Sequence, residues 1–231
     1  MSGQIPILVG FDPSLRCSGA AGVTLDGELS PVLASALRTR PTTSRGDWFL
    51  LRQLDDLKAG RQVYGWALGV LEEPPAGYFV AAVAMEVPSG IPTSFVRPKP
   101  GEAPRPKGWR PPQDAQAFGK LVRGGQAVYD AAAEAWGRDV AVVSTYAAKE
   151  AATGSKRPKG GKAEVERSVR RLFGPEALDA LVGSMVKDER EAVADALAVC
   201  LGAMASVPVR AAIQEHAIAT AASAGSGGPE K

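Results

Sequence analysis

Five short runs of strand-forming residues punctuate this chain, and segments of helical spacing fill the intervals between them. The first run, about Ile5 to Phe11, leads into Pro13-Ser14-Leu15-Arg16-Cys17-Ser18-Gly19, a turn of small and polar residues. Ala20 to Leu25 and Leu29 to Leu37 predict two more strands, joined by the hairpin signal Asp26-Gly27. From Asp47 onward, Phe49, Leu50, Leu54, Leu57, Val63, Ala67, Val70 and Leu71 predict a helix or a broken pair of helices ending before Pro74-Pro75. Tyr78 to Glu86 reads as the fourth strand, and Pro88 to Pro112, dense in Pro, Gly and basic residues, predicts no stable element.

A long helix from about Gln113 to Trp136 follows, then a fifth strand from Asp139 to Ser144 and a short helix from Ala147 to Ala152. The flexible basic loop Gly154-Ser155-Lys156-Arg157-Pro158-Lys159-Gly160-Gly161 precedes helices over Lys162 to Phe173, Pro175 to Leu181 and Asp188 to Ser206. The order of elements predicts an α/β protein with a five-stranded mixed sheet flanked by helices. One domain is expected over residues 1–207, with a fraying tail over 208–231 that is low in large apolar residues.

Acidic residues fall where this pattern changes. Asp12 closes the apolar run Ile7-Leu8-Val9-Gly10-Phe11, and Glu86 closes Phe79-Val80-Ala81-Ala82-Val83-Ala84-Met85. Each carboxylate is therefore expected where a buried strand leaves the sheet. Glu191 and Asp195 lie at i and i+4, on one helical face, while Val193, Leu197, Cys200, Leu201 and Met204 supply an apolar stripe on another. Carboxylates drawn together from two strand ends and a helix repel unless a cation sits among them. Hard oxygen ligands without histidine or thiolate favour Mg²⁺, with Mn²⁺ as substitute, the chemistry of metal-assisted phosphodiester cleavage.

Composition narrows the picture. With 231 residues and 45% hydrophobic content, the chain can bury one substantial core. No apolar run reaches membrane-spanning length and no signal-type segment opens the chain, so a cytoplasmic protein without a membrane partner is expected. Cys17 and Cys200 read as reduced thiols, and the single histidine, His216, lies in the Ala-rich tail, away from any expected site. The net charge of +2 does not announce a nucleic-acid binder, but its distribution does. Arg97, Lys99, Arg105, Lys107 and Arg110 face one acid, Glu102, in the Pro-rich segment, and Lys149, Lys156, Arg157, Lys159 and Lys162 open a second cationic stretch. Local cationic segments on a nearly neutral chain suit contact with a phosphate backbone.

Taken in order, these pieces resemble the RuvC-type Holliday junction resolvases of the ribonuclease H-like superfamily. Ile7 to Gly19 is similar to the family's opening strand and turn, with Asp12 in the place of its catalytic aspartate. Ala84-Met85-Glu86 is similar to the strand end carrying the catalytic glutamate, and Ala194-Asp195-Ala196-Leu197-Ala198 to the helix carrying the last catalytic aspartate. Lys149 stands where the family has a DNA-contacting lysine, and Lys162 where it has one beside the scissile phosphate. The resemblance covers about residues 5 to 206. The chain departs from it at Ala192, where the family places its penultimate acid; Glu191 is favoured as the replacement because its long side chain can offset the rotation, with Asp188 as the substitute. Val87 and Pro88 stand where bacterial members carry an aromatic wedge, leaving Phe95 or Trp109 for that role.

The resemblance implies a ribonuclease H-like fold and a Mg²⁺-dependent, structure-selective endonuclease that cuts four-way junctions by paired symmetric nicks. It implies two metal ions held by Asp12, Glu86, Glu191 and Asp195, with Lys162 offsetting charge on the scissile phosphate. DNA arms would meet Arg16, Phe95, Arg97, Lys99, Arg105, Lys107, Trp109, Arg110, Lys149, Lys156, Arg157 and Lys159. Symmetric cutting implies a two-fold homodimer, with the Gln113–Trp136 helix as its candidate face, and no nucleotide cofactor. Two alternatives stay open: a broader branched-DNA nuclease on the same fold, and a cleavage-inactive junction-binding protein suggested by Ala192.

Overall fold

The strand β1 (Ile5–Asp12) organises the molecule through its alternation. Ile7, Val9 and Phe11 enter one hydrophobic core and Leu8 enters another, so a single strand supplies both layers. The computed structural model describes residues 4–43, 49–87 and 115–225. The expectation for Pro88 to Pro112, and with it Phe95, Arg97, Lys99, Arg105, Lys107, Trp109 and Arg110, lies outside the described residues.

On one side of β1 runs β2 (Cys17–Thr24), antiparallel, followed by β3 (Pro31–Arg38), antiparallel to β2. On the other side β4 (Tyr78–Val87) is parallel to β1, and β5 (Ala141–Ser144) is parallel to β4. The result is a five-stranded mixed sheet in the order β3-β2-β1-β4-β5, with β1 at the place where antiparallel pairing gives way to parallel pairing.

Two helices, α1 (Phe49–Glu72) and α2 (Ala115–Trp136), cover the face marked by Ile7, Val9 and Phe11. The opposite face carries α3 (Thr145–Thr153), α4 (Lys162–Phe173), α5 (Pro175–Val182), α6 (Lys187–Ala203) and α7 (Val207–Gly225). Helix α6 is enclosed on nearly all sides, with Val193, Ala196, Leu197, Val199 and Cys200 all buried. It lies directly on β1: a Cβ at Gly10 would stand 2.6 Å from Cys200 Sγ and 2.7 Å from the Ala196 carbonyl oxygen. That close approach requires glycine in the strand. Burial also pushes the Cys200 thiol up to about 12, leaving it a protonated core side chain.

Several boundaries differ from the sequence expectation, each for a local reason. β2 starts at Cys17 rather than Ala20, because the Ser18 hydroxyl bonds to the Ser14 backbone and closes the preceding turn early. β3 starts at Pro31 rather than Leu29, because Thr24 Oγ1 bonds the Glu28 carbonyl and the Ser30 N–H, extending the hairpin loop. α1 is a single helix of 24 residues. The tail was expected to fray from Pro208, yet α7 runs to Gly225, with Val209 and Ala212 buried against the β4 side of the core. Its alanines contribute helix propensity where large apolar residues are few, and Ile213 packs against the same core. Among the described residues no single helix is long and apolar enough to cross a membrane.

Candidate active site

Register brings the first two carboxylates together. β1 and β4 are parallel with Gly10 opposite Ala84 and Phe11 opposite Met85, so Asp12 and Glu86 follow next on adjacent strands. The alternation fixes their side: Leu8 belongs to the α6-side core together with Ala82 and Ala84, while Phe11 and Met85 belong to the other. Asp12 and Glu86 therefore emerge side by side toward α6. Asp195, on α6, completes the acidic edge of an open cleft of about 350 Å³ whose walls include Asp12, Glu86, Asp195, Lys149 and Lys162.

The electrostatics are those of like charges held close. The Asp12 carboxyl is raised well above the usual range, first by burial and then by the charges of Glu86 and Asp195, against the pull of Lys162 and Lys149. Glu86 is raised too, mainly by burial, although Thr145 Oγ1 donates to its Oε1 at 2.8 Å and favours the ionised form. Lys162 Nζ lies 2.7 Å from Asp195 Oδ2. Burial works against the Lys162 ammonium, but Asp195, Asp12 and Glu191 outweigh it and raise its pKa.

The other predicted site residues fall into place unequally. Glu191 is 25% exposed, pairs with Lys187 at 3.7 Å and contributes to the field on Lys162. Asp188 is 63% exposed, pairs with Arg38 at 3.5 Å and accepts the Cys17 thiol on its backbone carbonyl at 3.5 Å, so it belongs to the β2–β3 rim. Ala192 is buried. Of the predicted DNA contacts, Lys149 lines the cleft; Lys156 sits near Glu150 at 3.7 Å, Arg157 lies over the Tyr146 ring at 5.6 Å, and Lys159 is exposed on the same loop.

Arg16 also lines the cleft, but its Nη2 is committed to Asp55 Oδ2 at 2.9 Å and Asp56 Oδ1 at 2.6 Å, both buried on α1. Neither aspartate was singled out in the sequence, where they look like ordinary helical charges. Thr145 was missed as well, although its place immediately after the third parallel strand end was a usable signal.

The donor set is all carboxylate oxygen, mutually repelling and flanked by cations, which suits a hard divalent cation. Among the described residues, no three acidic, histidine or cysteine side chains are already arranged to hold an ion, and Asp195 is engaged by Lys162. The fit is therefore one of chemistry and neighbourhood, requiring side-chain movement at Asp195.

No protein-family model matches the chain, and no curated protein matches it in sequence. Solved structures do. RuvC of Thermus thermophilus in complex with a Holliday junction substrate aligns at a TM-score of 0.55 and 20% identity, covering 85% of this chain and 91% of that one. A second Thermus thermophilus RuvC structure aligns at 0.52 and 21% identity, covering 85% and 92%. The fold is thus the ribonuclease H-like fold of RuvC, with a five-stranded mixed sheet flanked by helices, as the sequence predicted.

Proposed function

We propose that this chain is a RuvC-type, divalent-metal-dependent endonuclease that resolves four-way DNA junctions by paired nicks. The observation that carries the reading is the convergence of Asp12, Glu86 and Asp195 on one cleft edged by Lys149 and Lys162. A similar protein was solved with a Holliday junction substrate, which supports branched DNA as the partner.

In this reading Asp12, Glu86, Asp195 and Glu191 hold Mg²⁺, or Mn²⁺ in its place. A metal bound there would supply a water of lowered pKa and charge to offset the leaving 3′ oxygen, the chemistry that leaves a 5′-phosphate. Thr145 orients Glu86 through its hydroxyl. Lys162 and Lys149 offset the charge of the phosphates that the carboxylates would otherwise repel. Glu191 is taken as the fourth acid for its place four residues before Asp195 on α6, while Asp188 is engaged at the Arg38 and Cys17 rim.

Symmetric cutting needs two active sites, so the working form is a homodimer. The half-exposed Val122 and Tyr129 on α2 support that helix as its face. The cationic loop around Lys156, Arg157 and Lys159 then grips a DNA arm, and the protein acts in recombination and repair in the cytoplasm.

The test is cleavage of end-labelled four-way, three-way and duplex DNA with Mg²⁺ or EDTA. Paired symmetric nicks confined to the four-way junction and lost in EDTA support the reading. Equal cutting of three-way DNA replaces it with a broader branch nuclease, and tight junction binding without cutting leaves a structural role.

A further inference from the structure

Lys162 approaches the acidic cluster from its rim. It is the first residue of α4 and follows Gly161, whose φ of 56° lets the basic loop turn sharply into the helix. A cation at a helix N-terminus opposes the helix dipole, so α4 itself gains nothing from a lysine there. The side chain is 59% exposed, yet its ammonium lies 2.7 Å from Oδ2 of an Asp195 that is only 14% exposed. An exposed, flexible cation has thus been placed on the acid that α6 contributes to the cleft. The same carboxylate oxygen cannot accept a lysine ammonium and ligate a divalent cation at full strength.

We propose that Lys162 is a resident counter-ion of the DNA-free site: it holds Asp195 until a substrate phosphate draws its ammonium away, so that tight metal loading follows DNA binding. This rests on the metal-nuclease reading and adds an order of events to it. While Lys162 occupies Asp195, the repulsion among Asp12, Glu86 and Asp195 is partly offset from within the protein. When a phosphate takes the ammonium, Asp195 is freed at the moment when a divalent cation is needed. The arrangement would discourage stable metal occupancy in the absence of DNA.

The experiment measures Mn²⁺ binding to the full, DNA-free chain by titration calorimetry, in wild type, Lys162→Gln, Lys162→Met and Lys162→Arg, with circular dichroism confirming the fold of each. Removing a unit charge beside the ligand should tighten Mn²⁺ binding by roughly tenfold or more in the Gln or Met variant. The Arg variant should remain near wild type, because it keeps the cation. Unchanged or weaker binding in both neutral variants overturns the proposal, and so does an Arg variant as tight as the neutral ones. Should one neutral variant fail to fold, the other is read. A wild type that cuts branched DNA while its neutral variants bind Mn²⁺ no more tightly defeats this inference alone; a wild type that cuts no DNA with any divalent metal defeats the nuclease reading instead.

Discussion

Gly19 on β2 faces the backbone of Ala192 on α6 so closely that a Cβ at Gly19 would lie 2.1 Å from the Ala192 carbonyl oxygen. Strand and helix are in backbone contact there, and Ala192 itself is 3% exposed. A carboxylate at 192 would be buried in that contact. Position 192 therefore suits a small apolar side chain, and the reading proposed above takes its fourth acid from Glu191 instead.

Ala192→Asp should not improve the site. It places a charge in the α6–β2 contact and is expected to cost about 3 kcal/mol or more of stability, with no gain in cleavage. Denaturant unfolding beside a junction-cutting assay reads both.

Glu191→Gln and Asp188→Asn separate the two candidate acids. Loss of a metal-holding carboxylate should lower cleavage by roughly 100-fold or more in Glu191→Gln. Asp188→Asn should stay within about threefold, since it disturbs only an exposed pair with Arg38. Single-turnover rates on a four-way junction give the comparison.

Asp12→Asn should stabilise the metal-free protein at neutral pH. Burial, then Glu86 and Asp195, raise the Asp12 pKa in the folded state. An acid with a raised folded pKa favours the fold while protonated, below its unfolded pKa, and that contribution is lost as pH rises through the folded pKa. In EDTA at pH 7 the variant should therefore melt a few degrees higher than wild type, and the difference should shrink as pH falls toward the usual carboxylate range.

Asp55 behaves in the opposite sense. The Thr42 backbone N–H, helped by the Thr42 hydroxyl and Arg16, holds its carboxyl below the usual range. Its contribution is present above the unfolded pKa and fades as pH falls through the folded one. Asp55→Asn should lower the melting temperature at pH 7, with the loss narrowing near pH 4, in a thermal scan across pH.

The sequence disclosed what depends on local pattern. The apolar runs before Asp12 and Glu86 marked both strand ends, and the parallel register then set the two acids side by side. What stayed hidden depended on distant partners. Asp55 and Asp56 are buried against partners distant in sequence: Arg16 reaches both, Thr42 bonds Asp55 and Lys120 pairs with Asp56. The preference for Glu191 over Asp188 came from spacing, whereas the Arg38 and Cys17 contacts of Asp188 depend on the distant β2–β3 rim. α7 forms in a segment poor in large side chains because alanine carries its own helix propensity. The aromatic and basic residues from Phe95 to Arg110 lie outside the described residues, so the wedge remains a sequence expectation.

The central claim, that Asp12 serves chemistry rather than folding or DNA affinity, is tested most directly by comparing Asp12→Asn with wild type on one labelled four-way junction, measuring binding in EDTA and cutting in Mg²⁺. The account predicts that cutting is abolished while junction affinity is kept or strengthened, because removing a negative charge from the cleft would lessen repulsion of the DNA phosphates. Cutting that persists in the variant, or binding lost while the fold is intact, would contradict it.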